Sequence, residues 1–153
     1  MNDAERIQFV IDKFAESGIT ITAEMAEKLV RLCDFMVEYN KNVNLTSITE
    51  FEEVVVKHFV DSVLPFFMVD IPQGSSFIDV GTGAGFPALP LLVVRPDLKG
   101  VLCDSLNKRC IYLELACKEI GVRAEIIHAR SEELGRKKRE CFDFATARAV
   151  AAM

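Results

Sequence analysis

A chain of 153 residues, half of them hydrophobic, can bury one good core but hardly two large domains. A formal net charge of −5 argues against a protein that binds nucleic acid through bulk charge, while leaving room for local basic patches. The longest apolar stretch, Ala88 to Val94, is far too short to cross a bilayer, and Asp3, Glu5 and Arg6 stand where a signal peptide would need a basic start and an apolar core, so a cytoplasmic protein is expected.

The chain opens with helical periodicity. Ile7, Val10, Ile11 and Phe14 keep a 3-4 spacing that Gly18 stops. A second run of Met25, Leu29, Leu32, Phe35, Met36 and Tyr39 follows the cap candidate Thr22. Asn40 to Thr46 is rich in asparagine and predicts an ordered polar turn, after which Glu50 to Leu64 resumes a helix ending at Pro65. Residues 1–70 thus read as a helical N-terminal region, and Ile71 to Gly74 as a connector into a second region, residues 71–153.

From Ser76 the pattern alternates strand and helix. Strands are expected at Phe77–Val80, Val101–Cys103, Ala124–His128 and Phe142–Thr146, with helices at Pro87–Val94 and Leu106–Ile120 and a short one at Glu132–Lys137. This alternation predicts an α/β fold with a doubly wound parallel sheet. The five cysteines Cys33, Cys103, Cys110, Cys117 and Cys141 are odd in number and form no C-x-x-C pair, so neither a disulfide framework nor a metal site is indicated. Cys110 and Cys117 repeat at helical spacing, which suits core packing.

The chemistry concentrates in Phe77 to Gly85, which reads F-I-D-V-G-T-G-A-G. Glycines at every second position after a strand let the backbone take φ > 0, turn sharply and bring its N–H groups against a nucleotide. Gly81, Gly83 and Gly85 are the loop candidates, with Asp79 two residues before the first. The spacing is wrong for the G-x-G-x-x-G of a nicotinamide-dependent dehydrogenase. G-x-G-x-G in this setting is similar to the cofactor loop of class I S-adenosylmethionine methyltransferases. Downstream, Val101 to Asp104 is an apolar run ending in a carboxylate. Asp104 suits the two hydroxyls of a ribose and equally suits a cap on the helix that begins near Ser105, and the two roles can coexist.

Five blocks together resemble one family. They are Asn42 to Thr46, Lys57 to Ser62, Phe77 to Leu91, Asp104 to Arg109 and Ala147 to Ala151. In that order, through nearly the whole chain, they resemble the bacterial 16S ribosomal RNA guanine-N7 methyltransferases, the RsmG or GidB family. The resemblance implies a Rossmann-like class I fold, S-adenosylmethionine as methyl donor and cofactor, and a guanine of 16S ribosomal RNA, free or in a small-subunit particle, as acceptor. Two departures stand out. Ala88 occupies a position where the family usually has glycine, and Met153 follows directly on the fourth strand of a fold that has seven. A truncated sheet is therefore expected, with an exposed strand-four edge available for association. A non-catalytic, cofactor-binding remnant is the alternative to an active enzyme.

By the resemblance, Gly81 and Phe86 line the cofactor, Asp104 holds its ribose, Ser131 and Glu132 meet the adenine, and Arg148 reaches the site from the end of strand four. Residue by residue there are plainer readings: core packing for Phe86, a helix-dipole charge for Glu132, a surface ion pair for Arg148. His58 and Asp61 lie three apart on one helical face and are candidates to meet RNA or the acceptor guanine, or to form a buried hydrogen-bonded pair. Lys108 and Arg109, beside Asn107 at the start of a helix, are the basic RNA candidates, and Arg136 to Arg139 is either a phosphate contact or a solvated loop. The chain lacks the Asn/Asp-Pro-Pro-aromatic motif of exocyclic-amine methylation, having Ala145-Thr146-Ala147-Arg148 there, and lacks a cysteine next to proline for attack on cytosine C5. Guanine N7 offers a free lone pair and no proton, so no residue is assigned as acid, base or nucleophile, and alignment with exclusion of water is expected to supply most of the rate.

Overall fold

The computed structural model of the chain describes residues 1–130 and 141–147. Two amphipathic helices open it, as their spacing predicts. α1 (Asp3–Glu16) begins at Asn2, whose side chain accepts from Glu5 N–H while the Glu5 carboxylate accepts from Asn2 N–H, so two orphan donors of the first turn are satisfied reciprocally. α2 (Ala23–Tyr39) begins at the expected cap, with Thr22 Oγ1 accepting from Met25 N–H at 3.1 Å. The polar turn after it is ordered by Asn40, whose Oδ1 accepts from the N–H groups of Leu45 and Thr46 at 2.8 and 3.0 Å.

The next helical stretch departs from expectation. It is α-helical at α3 (Phe51–Glu53), π-helical over Val54–Val60, and α-helical again at α4 (Asp61–Phe67). The widened i→i+5 turn buries Val54, Val55, His58, Phe59 and Val60, a broader apolar face than one α-helical stripe. Pro65 does not end the helix, which runs on to Phe67. The hydrogen bond that proline cannot donate would have gone to the carbonyl of Asp61, and Met68 N–H closes the last turn on Pro65 O at 3.4 Å.

The second region is a parallel sheet of β1 (Ser76–Val80), β2 (Lys99–Asp104), β3 (Ala124–His128) and β4 (Phe144–Ala147), in the order β3-β2-β1-β4. The α/β expectation holds, with each strand within two residues of its predicted bounds. Successive strands run outward from β1 to β3, whereas β4 returns to the opposite side of β1. That reversal is the topological switch point at which open α/β sheets bind ligands, outside the carboxyl ends of the strands. α5 (Ala88–Val94) links β1 to β2, and α6 (Asn107–Ile120) links β2 to β3.

Alternation along the strands sets the two faces. Phe77, Leu102, Ile126 and Phe144 face the side where α1, α2, α5 and α6 pack, and one continuous apolar cluster joins the helical region to the sheet. Ile78, Val80, Val101 and Ile127 form a smaller cluster on the other side with Phe142. Gly100 sits on β2 opposite Phe77, and a Cβ there would come within 2.9 Å of the Phe77 ring, so this strand position requires the absence of a side chain. Phe77 in turn stacks on Phe144 of β4 with centroids 5.1 Å apart. Where α2 crosses α6, Phe35 and Tyr39 meet Tyr112. Cys110 and Cys117 are buried, as their helical spacing suggests.

Candidate functional site

β1 ends at Val80, and the chain then turns through Gly81, Gly83 and Gly85 with φ of 68°, 60° and 97°. All three occupy the region that side chains other than glycine rarely adopt, as the spacing predicts. Their surroundings differ. A Cβ on Gly81 or Gly83 would meet nothing within 4 Å, whereas one on Gly85 would lie 2.5 Å from Leu89 Cδ1 and 3.1 Å from Leu113 Cδ2. Gly81 and Gly83 border open space, and Gly85 is where the loop rests on the helices beneath it.

The expectation that the loop presents its glycine N–H groups to a ligand is corrected by the hydrogen bonds. Gly81 and Thr82 N–H both donate to Cys103 O, at 2.9 and 3.1 Å, Gly83 N–H donates to Asp104 Oδ2 at 2.8 Å, and Gly85 N–H donates to Thr82 O at 2.9 Å. The tight turn brings the first three of these donors back onto the neighbouring strand β2 and the fourth onto the loop itself, so the glycines contribute room and shape, and their donors lock the loop. Asp79, fully buried at the end of β1, accepts from Thr82 Oγ1 at 2.7 Å, and Tyr112 reaches the loop from α6 by donating its hydroxyl to Ala84 O at 3.3 Å.

Asp104 is 3% exposed at the carboxyl end of β2. Besides Gly83, it accepts from Leu106 N–H on Oδ1 at 2.9 Å, and the Arg109 guanidinium stands 4.0 Å from the same oxygen. The carboxylate therefore joins the glycine loop to the start of α6. The cap reading of Asp104 is present in modified form, as a side-chain turn onto Leu106, since the N-terminal residue of α6 has no side-chain cap. A carboxylate accepts about four hydrogen bonds, so this one keeps acceptor capacity for a further pair of hydroxyls.

Phe86 closes the loop from above. It is buried, and the His58 ring stacks on it at 4.5 Å with an interplanar angle of 19°, while Phe59 meets it edge-on at 6.0 Å. The π-helical turn lets two consecutive residues reach one ring. His58 also hydrogen-bonds Thr46 Oγ1 through Nε2 at 2.9 Å, which ties the asparagine-rich turn to the same point. The single-face reading of His58 and Asp61 does not hold. His58 is buried against Phe86 and Thr46, and Asp61 is exposed, because the turn between them is not α-helical. Lys108 is exposed and Arg109 half-buried in the first turn of α6. Ser131, Glu132 and Arg148 lie outside the described residues, as do Arg136 to Arg139 and the short helix expected at Glu132–Lys137.

The buried thiols are poor nucleophiles. Burial pushes Cys103 and Cys110 up, and pushes Cys117 to about 11 and Cys33 to about 12. Cys103 and Cys110 instead donate weakly to the carbonyls of Ala129 and Asp104. Reasoning from sequence missed Thr46, Thr82 and Tyr112. Thr82 carried a signal, a hydroxyl three residues after a strand-end aspartate, while Thr46 and Tyr112 act across distances that local spacing does not reveal. Among the described residues, no helix is long and apolar enough to cross a membrane.

Residues 25–153 match the family model described as rRNA small subunit methyltransferase G. The chain is 42% identical over 139 residues to the ribosomal RNA small subunit methyltransferase G of Clostridium botulinum strain Eklund 17B, covering 89% of this chain and 58% of that protein. It is 42% identical over 147 residues to the protein of the same name from Staphylococcus epidermidis strain ATCC 12228, covering 95% and 62%. It is 43% identical over 139 residues to that of Clostridium perfringens strain 13, covering 89% and 58%. The chain thus spans about three fifths of the length of these curated relatives. A glycine loop locked to a strand-end carboxylate at the switch point of a parallel sheet, together with this likeness over most of the chain, shows that it belongs to the rRNA small subunit methyltransferase G (GidB) family.

Proposed function

We propose that the chain is the donor-binding part of an S-adenosylmethionine-dependent methyltransferase that methylates N7 of a guanine in 16S ribosomal RNA, acting in the cytoplasm. The observation that carries the reading is the open space before Gly81 and Gly83 beside the buried carboxylate of Asp104. A strand-end acid next to a backbone that approaches without side chains is the arrangement a nucleoside with a free ribose needs. Residues 71–153 form the donor-binding region and residues 1–70 the helical region that covers it.

The residues present fit that donor. Gly81 and Gly83 leave room for it, Gly85 keeps the turn seated, Phe86 offers an aromatic wall, and Asp104 accepts from the ribose hydroxyls. Ser131, Glu132 and Arg148 complete the donor site in this reading, and Asp61, Lys108 and Arg109 face the RNA, with His58 holding Phe86 in place. When bound, S-adenosylmethionine supplies an electrophilic methyl group on a sulfonium. The guanine N7 lone pair needs no base to expose it, so the chain's own contribution is to hold the acceptor in line and exclude water. The partner is the rRNA or a small-subunit particle. The outer edge of β4, unpaired among the described residues, offers a ladder to a further strand or to a second copy of the chain.

Methyl transfer from a labelled donor to small-subunit rRNA tests the reading. The label is expected in 7-methylguanine. Label on an exocyclic amine or a ring carbon would overturn it.

A further inference from the structure

A cleft of about 400 Å³ opens between α4 and the carboxyl end of β4, and Pro87 alone links it to the glycine-loop segment. Its volume lies in the roughly 300–1,000 Å³ range of small-molecule sites. Two of the residues that line it, Ser62 and Thr146, carry hydroxyls that are buried and have no hydrogen-bond partner among the described residues. Ser62 is 5% and Thr146 8% exposed, and they come from different elements, one from α4 and one from β4. Thr146 stands beside Asp79 in the register of β4 on β1, which sets it next to the strand end that carries the loop. Buried hydroxyls nearly always find a partner, so two orphans in one cleft mark the place of a group the cleft is built to receive.

The other lining groups define that guest. Pro65, Phe66 and Pro87 supply flat apolar walls suited to a planar ring, and Asp61 places an exposed carboxylate at the same cleft. A carboxylate with two hydroxyls matches the six-membered-ring edge of guanine, which offers N1–H and N2–H donors and an O6 acceptor. Adenine presents the opposite pattern there, an acceptor at N1 and a donor at N6. Resting on the methyl-transfer reading, we propose that Ser62, Thr146 and Asp61 form the acceptor-base subsite and select guanine. Asp61 accepts from N1–H and N2–H, and the two hydroxyls donate to O6. N7 lies on the five-membered ring, and its lone pair stays unshared and free to face the donor.

The test is binding of guanosine 5′-monophosphate to the chain saturated with S-adenosylhomocysteine, followed by ligand-observed NMR, with adenosine 5′-monophosphate as competitor. The unaltered chain should bind the guanosine nucleotide in preference. The double variant S62A/T146V should bind it about tenfold more weakly, with unchanged affinity for S-adenosylhomocysteine and a melting temperature that does not fall, because neither hydroxyl has a hydrogen-bond partner among the described residues. The exposed variant D61N should lose the preference for guanine over adenine. Equal nucleotide binding by the double variant and the unaltered chain, or no detectable nucleotide binding by the unaltered chain, overturns the subsite. So does a double variant that loses S-adenosylhomocysteine together with the nucleotide, which would make the hydroxyls structural. Failure of the unaltered chain to bind S-adenosylhomocysteine would instead sink the donor reading, and this subsite with it.

Discussion

Asp104 accepts a hydrogen bond from the N–H of Gly83 at 2.8 Å, so the carboxylate that ends β2 holds the middle glycine of the loop that follows β1. The bond is part-buried, and the same carboxylate also receives Leu106 N–H. One side chain thus sets the distance between the loop and the start of α6, the two elements a nucleoside would bridge.

Replacing Asp104 by Ala should therefore act twice. Stability should drop by about 1–3 kcal/mol, because two backbone donors lose a charged acceptor in a buried place. Affinity for S-adenosylhomocysteine should fall by a similar factor, measured by calorimetric titration of the folded fraction. Lowered melting with undiminished affinity would assign Asp104 to the loop's architecture alone.

The loop glycines should separate into two kinds. Gly85→Ala forces a Cβ to 2.5 Å from Leu89 at φ 97°, and about 2–4 kcal/mol of stability should be lost to overpacking and strain. Gly83→Ala places its methyl in open space and should cost about 1–2 kcal/mol for the positive φ alone, while weakening ligand binding by filling the cradle. Chemical denaturation of both variants checks the order, which reverses if the open space at Gly83 does not exist in solution.

Acid should loosen the connector. Asp97 bonds Arg95 at 2.9 Å through both of its oxygens and accepts Gly74 N–H at 3.0 Å, and the guanidinium holds its carboxyl down at about 2, below the ordinary 3.8. Folding favours the ionised form, so this contribution is complete above pH 3.8 and disappears as pH falls through 3.8 towards 2. Because the pair is partly solvated, about 1 kcal/mol is expected. Asp97→Asn should be less stable than the unaltered chain by that amount at neutral pH, and the gap should close at the acid end. A gap that persists unchanged at low pH would show that the ion pair is not its source.

The stack of Phe77 on Phe144 joins β1 to β4, and Phe66 of α4 lies 5.8 Å from the Phe144 ring. Phe144→Ala should destabilise the chain by about 2–4 kcal/mol, at the lower end of core truncations because Phe144 is only half-buried. It should also loosen β4 first, visible as faster amide exchange at Ala145 to Ala147 than at Ile78. Uniform loss of protection across the sheet would contradict an independent weakening of this edge.

Much of the fold is written locally. The 3-4 spacing from Ile7 to Phe14, the cap at Thr22 and the apolar runs of β1 and β2 are properties of short segments, and their structures follow from them. The sign of φ at Gly81, Gly83 and Gly85 was legible for the same reason. The π-helical turn was not, since Val54 to Val60 satisfies an α-helical pattern equally well and only the demand to bury His58, Phe59 and Val60 together selects the wider turn. Nor was the fate of the loop donors. Cys103 O and Asp104 receive them from across the sheet, and a pairing between strands leaves no trace in the spacing of one loop. The orphan hydroxyls of Ser62 and Thr146 are invisible in sequence for the same cause, because each is ordinary in its own element and their meeting is a product of topology.

On the proposed function, the space before Gly81 and Gly83, beside Asp104, receives an S-adenosyl nucleoside. Calorimetric titration of the folded chain with S-adenosylhomocysteine tests it most directly. Saturable binding of one molecule per chain is expected, strongly weakened in Gly83→Val and not reproduced by NADH. A folded chain that takes up no S-adenosylhomocysteine, or a Gly83→Val variant that binds it undiminished, would overturn the donor site.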